Sequence, residues 1–286
     1  MIAFVKLARP THWVKNIFIL MPIPYSLASV GVLDPTTLLL GFVGFCLANS
    51  GVYALNDAHD AEQDRLSQSK KNRPIASGRI SPSSGLIFGA VLLAAALTLA
   101  WSTGRASAVW ITATYIAINI VYSFFGRSVA LLDVFLLSSG FVLRVLLGCA
   151  LVGAVASNWL LLCSSTLALF LGFAKRRGDL VAGIDDTHRP SLAGYSMAFL
   201  DQAIGVTSGM AIVAYALYCM ESPVLVSGRE FATLPFVVFG VFEYLRIVHV
   251  KSQGASPVEI LLTNRLLQLC GVGWILATFW SLRASL

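Results

Sequence analysis

Residues 35–65 read PTTLLLGFVGFCLANSGVYALNDAHDAEQDR. The first twenty-one carry no charge, and roughly 20 apolar residues suffice for one helical membrane crossing. The last ten carry Asp57, Asp60, Glu62 and Asp64, four of the fourteen carboxylates in the chain. Lys70, Lys71, Arg73 and Pro74 follow within nine residues, and a second long apolar run begins near residue 82. A membrane crossing and a polar site at the membrane edge are therefore read from one continuous stretch.

The rest of the chain repeats this alternation. Of 286 residues, 57% are hydrophobic and only 12% charged, with mean hydropathy +0.79, which predicts an all-α polytopic membrane protein forming one integral domain over residues 1–286. Nine candidate spans lie near 14–32, 35–55, 82–101, 106–125, 129–152, 157–174, 200–220, 231–248 and 262–282. The first is read as a retained, kinked span rather than a cleaved leader, because Pro22 and Pro24 interrupt it and no small-residue cleavage site ends it. All five cysteines (Cys46, Cys149, Cys163, Cys219, Cys270) fall in apolar segments without metal-ligand spacing and read as core thiols.

Charge placement predicts orientation, since short loops rich in Lys and Arg stay in the cytoplasm. Sixteen of the twenty Lys and Arg residues gather on one side, Arg105, Arg229 and Arg283 on the other, and Arg144 inside span five. The N-terminus is accordingly expected inside and the C-terminus outside. A basic excess serves topology and contact with anionic lipid without any further role. The acidic residues on that same side are not part of the topology signal and need another reason.

Asp57, Asp60 and Asp64, spaced by three and four residues, are expected on one face of a helix extending span two. Three like charges on one face repel unless they coordinate a hard cation such as Mg2+, which takes oxygen ligands and bridges carboxylates to phosphates. The bland alternative is a solvated helix end with Lys70, Lys71 and Arg73 as loose counterions. A second polar cluster, Lys175, Arg176, Arg177 and Asp179 followed by Asp185 and Asp186, either anchors span six to lipid headgroups or neutralises a diphosphate held by metal from the opposite side. Tyr122, Arg127, Asp133 and Arg144 add polar groups in or beside span five. Asp133 and Arg144 are about 16 Å apart along a helix and cannot pair, so Arg144 has either an ion-pair partner on another span or a lipid phosphate.

The motif Asn56-Asp57-x-x-Asp60-x-x-x-Asp64 between spans two and three resembles the UbiA superfamily of intramembrane prenyltransferases. Arg9-Pro10-Thr11-His12-Trp13-Val14-Lys15-Asn16, Lys70-Lys71-Asn72-Arg73-Pro74, the run from Tyr122 to Asp133 with Gly140-Phe141-x-x-Arg144, and Phe173-x-Lys175-Arg176 are similar to its decaprenyl-phosphate phosphoribosyltransferase branch. The likeness runs from about residue 6 to about residue 270. It departs at Arg127, where Lys is more usual, and at Asn264, where Asp is more usual and which cannot serve as an anionic ligand. The Asp-rich motif common after span six in the aromatic prenyltransferases is replaced here by the Lys-Arg-Arg cluster, and Asp185-Asp186 lacks its spacing.

The resemblance implies a UbiA-like bundle of about nine helices with cytoplasmic loops near 56–81 and 175–199 capping the site. It implies Mg2+ on Asp57, Asp60 and Asp64, with Asp133 easing charge on the sugar ring. Lys15, Asn56, Lys70, Arg73, Tyr122, Arg127, Arg144, Lys175, Arg176 and Arg177 are then the expected substrate-binding residues. The expected substrates are 5-phosphoribosyl 1-diphosphate and a polyprenyl phosphate, in a bacterial cytoplasmic membrane, serving cell-envelope glycan synthesis. No nucleic acid partner is expected, and an assembly of identical subunits is left open. The alternatives are transfer of an isoprenyl group to an aromatic acceptor and, in another class, a transporter, although transporters place their polar sites near the midplane.

Overall fold

The computed structural model describes residues 2–24, 34–67, 70–183, 189–250 and 257–282. Its regular elements are helices: α1 (Ile2–Ala8), a 3₁₀ segment (Pro10–Leu20), α2 (Pro35–His59), α3 (Ala61–Leu66), α4 (Pro82–Ser102), α5 (Ala106–Phe124), α6 (Leu132–Val152), α7 (Asn158–Val181), α8 (Met197–Glu221), α9 (Leu234–Val250), α10 (Pro257–Thr263) and α11 (Arg265–Ser281). Six of them, α2 and α4 to α8, are long and apolar enough to cross a membrane. Helices α9 and α11 have 17 residues each, about 26 Å at 1.5 Å per residue, the short end of the spanning range.

The first expected span differs from an ordinary helix. Over Pro10–Leu20 it is a 3₁₀ segment, a form that rises about 2 Å per residue and is seldom held so long, and residues 25–33 lie outside the described residues. Pro10 at its start and Pro22 just beyond it remove two amide donors from any α-helical ladder.

Helix ends are set by local chemistry. Asp34 caps α2 by accepting from the Thr36 amide at 3.0 Å, and Ser81, Ser157 and Ser196 cap α4, α7 and α8 in the same way. Asn264, for which an acidic role was the more usual expectation, caps α11 by accepting from the Leu267 amide at 3.0 Å. Its amide nitrogen donates to Glu243 at 3.1 Å.

Glycines bring the N-terminal helices close. A Cβ on Gly51 of α2 would lie 3.0 Å from the Gly89 carbonyl oxygen of α4, and one on Gly89 would lie 3.1 Å from that of Gly51. Small residues allow such backbone approach where lipid supplies no hydrophobic drive between helices. At Gly148 of α6 a Cβ would fall 2.1 Å from the Ile19 carbonyl oxygen, so the 3₁₀ segment crosses α6 where only glycine fits.

Two apolar cores result. One joins Ile19, Phe45, Val52, Tyr115, Leu143 and Leu147 in the N-terminal half; the other joins Val134, Phe170, Phe173, Leu200, Ile204 and Tyr244. Outward-facing residues remain apolar, including Ile87, Val91, Val206 and Leu269, as a lipid-facing surface requires. Exposed Trp101, Trp110 and Trp280 lie near the helix ends opposite the acidic motif, where aromatic side chains suit the membrane interface.

One expectation about the acidic motif fails. α2 ends at His59, Asp60 sits at φ −87° and ψ 6°, and α3 begins at Ala61. The three aspartates therefore do not share the face of one continuous helix: Asp57 is buried on α2, Asp64 is buried on α3, and Asp60 lies at the kink between them.

Candidate active site

The acidic motif is built as a lattice with arginines. Arg9 Nη2 donates to both oxygens of Asp57, at 2.6 and 2.8 Å. Arg73 Nη1 lies 3.2 Å from Asp57 Oδ1 and 2.6 Å from Asp64 Oδ2, while Lys70 Nζ lies 3.8 Å from Asp64 Oδ1. Arg127 Nη1 donates to both oxygens of Asp60, at 2.7 and 2.6 Å. Asp57 and Asp64 are only 3% and 2% exposed, so their charges would be costly without these partners. The repulsion inferred from spacing is removed by guanidinium groups from three distant parts of the chain.

Arg9 was read in the sequence only as a topology charge and as part of a motif. It occupies the left-handed region, φ 49° and ψ 58°, strained for a non-glycine residue. Asp57 and the Tyr53 ring, 4.8 Å from its guanidinium carbon, hold it there. Asn56 Oδ1 accepts from Ser123 Oγ at 2.6 Å, tying α2 to α5 beside the motif. A cleft of about 420 Å3 opens next to this contact, lined by Val52, Leu55, Asn56, His59, Ile120 and Phe124 among others.

Beside the lattice stands a group of cations, Arg144, Lys15 and Lys175, that form no ion pair among the described residues. Arg144, 4% exposed, donates to Asn16 Oδ1 at 2.8 Å and to the Gly140 carbonyl at 2.7 Å. The rings of Phe45 and Tyr115, each 5.1 Å away, and Phe141, 5.5 Å away, surround it. Among the described residues no carboxylate pairs with Arg144; its partners there are Asn16, the Gly140 carbonyl and the three rings. Lys15 lies near enough to interact electrostatically with Arg144, and Lys175 with Lys15. Neither lysine lies within ion-pair distance of a carboxylate among the described residues, although the Asp179 charge acts on Lys175 from farther away.

His12 marks where the two groups meet. Its Nδ1 lies 3.1 Å from the Tyr53 hydroxyl, and its pKa falls from the ordinary 6.5 to about 4, through burial first and then the positive charges of Lys15, Arg9, Lys175 and Arg73. Burial and the converging cations of the 3₁₀ segment, the loop before α4, and α7 together hold the imidazole neutral well below physiological pH.

Other expected site residues are placed elsewhere. Asp133 is 0% exposed and holds the 190–195 segment: Ser191 donates to Oδ2 at 2.8 Å and Tyr195 to Oδ1 at 2.6 Å. Arg176 Nε lies 2.7 Å from Asp133 Oδ2, although its N–H is not aimed along that contact, making it an ion pair without a hydrogen bond. Burial, and then donation to Asp133, push the Tyr195 phenol above its ordinary range. Asp133 is thus enclosed by Ser191, Tyr195 and Arg176, with the 190–195 segment folded over it. Arg176 also donates to Asp179 at 2.7 Å, to which Arg189 donates as well, and Tyr122 approaches Arg176.

Arg177 is drawn away: it donates to Asp201 at 2.6 Å and to the Val248 carbonyl at 2.8 Å, joining α7 to α8 and α9. Asp185 and Asp186 lie outside the described residues. Arg9, His12, Tyr53, Asn16 and Tyr115 join the site without having been singled out for it. Their one sequence signal is that Arg9, His12 and Asn16 fall together in the run Arg9 to Asn16 at the head of the first apolar segment.

Oxygen donors from three carboxylates beside the Asn56 amide oxygen are the donor chemistry of Mg2+. Among the described residues, no three acidic, histidine or cysteine side chains converge as they stand, because each aspartate is turned to a guanidinium. The donor set fits such an ion by chemistry, and its engagement requires the carboxylates to leave their arginines.

The described chain is a helical bundle, six of its helices long and apolar enough to cross a membrane, with a carboxylate and cation site at one end. The chain belongs to the UbiA prenyltransferase family, whose sequence model matches residues 16–259, and is a membrane enzyme of that family. It is 28% identical to the decaprenyl-phosphate phosphoribosyltransferase of Corynebacterium glutamicum, over 95% of this chain and 84% of that protein. The protein of the same name from Mycobacterium tuberculosis is 30% identical, over 95% and 91%. The fold is similar to that of a UbiA homolog from Archaeoglobus fulgidus solved with DMAPP and Mg2+ bound, with TM-score 0.77, 16% identity and 96% of each chain covered.

Proposed function

We propose that this protein transfers the 5-phosphoribosyl group of 5-phosphoribosyl 1-diphosphate to a polyprenyl phosphate, releasing diphosphate, in a Mg2+-dependent reaction at the cytoplasmic face of a bacterial membrane. The observation that carries it is the set of cations Lys15, Arg144 and Lys175, of which Lys15 and Arg144 meet no carboxylate among the described residues and Lys175 feels only Asp179, already paired with Arg176 and Arg189, standing beside an acidic motif suited to a metal-bound diphosphate. Transfer of an isoprenyl group to a neutral aromatic acceptor requires one diphosphate site. This reaction requires a diphosphate site and places for two further phosphates, the sugar 5-phosphate and the lipid phosphate. The names of the relatives from C. glutamicum and M. tuberculosis agree.

A phosphate oxygen of the lipid attacks the anomeric carbon, the bond from that carbon to the diphosphate oxygen breaks, and the electron pair leaves on diphosphate. The nucleophile is already an anion, so no general base is needed. Asp57, Asp60 and Asp64, with Asn56 alongside, would hold Mg2+, which would supply charge neutralisation on the departing diphosphate. Arg73, Arg127 and Lys70 lie next to those carboxylates and bind the same phosphates. Lys15 and Lys175 take the remaining sugar phosphate, and Arg144, deepest among the apolar rings, takes the lipid phosphate. Asp133 acts through Arg176 and the 190–195 segment as a positioning residue, with Tyr122 beside Arg176. The first apolar segment, α9 and α11 would complete nine spans, with the N-terminus inside and the C-terminus outside.

Purified protein in lipid vesicles, given labelled 5-phosphoribosyl 1-diphosphate and a polyprenyl phosphate with Mg2+, should form a lipid-linked phosphoribose and free diphosphate. Consumption of an isoprenyl diphosphate with an aromatic acceptor, and not of the sugar donor, would reject the assignment.

A further inference from the structure

Every carboxylate oxygen of Asp57, Asp60 and Asp64 carries a cation contact. Both oxygens of Asp57 face Arg9, and Oδ1 also faces Arg73. Both oxygens of Asp60 face Arg127. Asp64 offers Oδ2 to Arg73 and Oδ1 to Lys70. A bare divalent cation reaching these oxygens must displace the guanidiniums, leaving three half-buried positive charges beside the new positive charge of the metal. That arrangement is penalised at the low effective dielectric of a membrane edge. A metal arriving with diphosphate changes the balance, because each displaced guanidinium then has phosphate oxygens to receive its planar fork.

We propose that Arg9, Arg73 and Arg127 are exchangeable counterions that pass from Asp57, Asp64 and Asp60 to the diphosphate as the metal enters, so that metal and diphosphate bind as a coupled unit. The proposal deepens the assignment above and rests on its placement of diphosphate at this motif. It gives Arg9 a role of its own: its strained backbone, stabilised by the pair with Asp57 and the Tyr53 ring, relaxes when the carboxylate is taken by metal. Linkage makes the coupling reciprocal, so metal must strengthen diphosphate binding by the factor by which diphosphate strengthens metal binding.

The test measures binding, without turnover, on the full chain in detergent. Bound Mn2+, standing in for Mg2+, is counted by equilibrium dialysis at fixed free Mn2+, with and without inorganic diphosphate. Wild type should bind Mn2+ at least about tenfold more tightly with diphosphate present, within the usual range of coupling. Arg127→Gln frees Asp60; it should tighten Mn2+ binding in the absence of diphosphate and shrink the coupling, while Arg127→Lys, keeping the charge, should restore most of it. Equal Mn2+ affinity with and without diphosphate in wild type, or an Arg127→Gln protein with wild-type affinity for Mn2+ alone, overturns the exchange and leaves the metal site standing. No Mn2+ binding under either condition overturns both the exchange and the metal site of the proposed function.

Discussion

Replacement of Arg144 by Met separates a binding role from a structural one. The side chain is 4% exposed, donates to Asn16 and Gly140, and has no carboxylate among the described residues to balance it. If it holds the lipid phosphate, Arg144→Met removes a charge-assisted hydrogen bond of about 1.5–3 kcal/mol, about 10- to 150-fold in the apparent requirement for polyprenyl phosphate. The effect on stability is small by cancellation. Asn16 Oδ1 loses its donor and costs about 1–3 kcal/mol, whereas removal of an uncompensated buried charge returns several kcal/mol. The assay is initial rate in vesicles with each substrate varied in turn, alongside thermal denaturation in detergent. KM for polyprenyl phosphate should rise by the stated factor, KM for the sugar donor should change less than about threefold, and Tm should stay within a few degrees. An equal rise for both substrates, or loss of folded protein, would refute the reasoning and assign Arg144 to the fold.

Asp57→Asn or Asp60→Asn should abolish transfer while membrane insertion stays normal; transfer at ample Mg2+ by either variant would remove the carboxylates from the metal site. Gly148→Ala places a Cβ 2.1 Å from the Ile19 carbonyl oxygen; the shifted 3₁₀ segment should lower stability by about 1–3 kcal/mol and lower transfer by displacing Lys15 and Asn16, as read by denaturation and by rate. Tyr195→Phe leaves Asp133 short of a donor and should destabilise by about 1–3 kcal/mol, with faster proteolytic cleavage between α7 and α8. His12 has a lowered folded-state pKa of about 4, so the unfolded chain takes up a proton first as pH falls below 6.5. Stability should therefore decline between pH 6.5 and 4, and His12→Gln should flatten part of that slope in denaturation followed against pH.

Arg9 shows why the site was only partly legible. Its partner Asp57 lies 48 positions away, and Arg127 reaches Asp60 across 67. Nothing in local spacing tells a topology charge from a counterion when the pair is formed by packing. The kink at Asp60 was equally hidden, since a three-then-four spacing is what an unbroken helix would show. Asn264 went the other way: judged as a missing acid, it is a helix cap, a role that any segment beginning a helix after a turn can take locally.

What the amino-acid sequence determined by itself is the class and its chemistry: apolar runs long enough to cross a bilayer, basic residues gathered on one side, and an oxygen-rich acidic motif at the end of the second run. Those properties are local, because the energy of burying a segment in lipid is summed along that segment. Only the tertiary structure decided which charges are neutralised and which are not. Asp57, Asp60 and Asp64 are matched by arginines, Asp133 is sealed by Ser191 and Tyr195, Arg177 is drawn to Asp201, and Arg144 and Lys15 have no carboxylate partner among the described residues. At the low dielectric of a helix bundle, an ionised group's role is set by the charge packed within a few ångströms of it. That neighbour is supplied by the fold from tens of residues away.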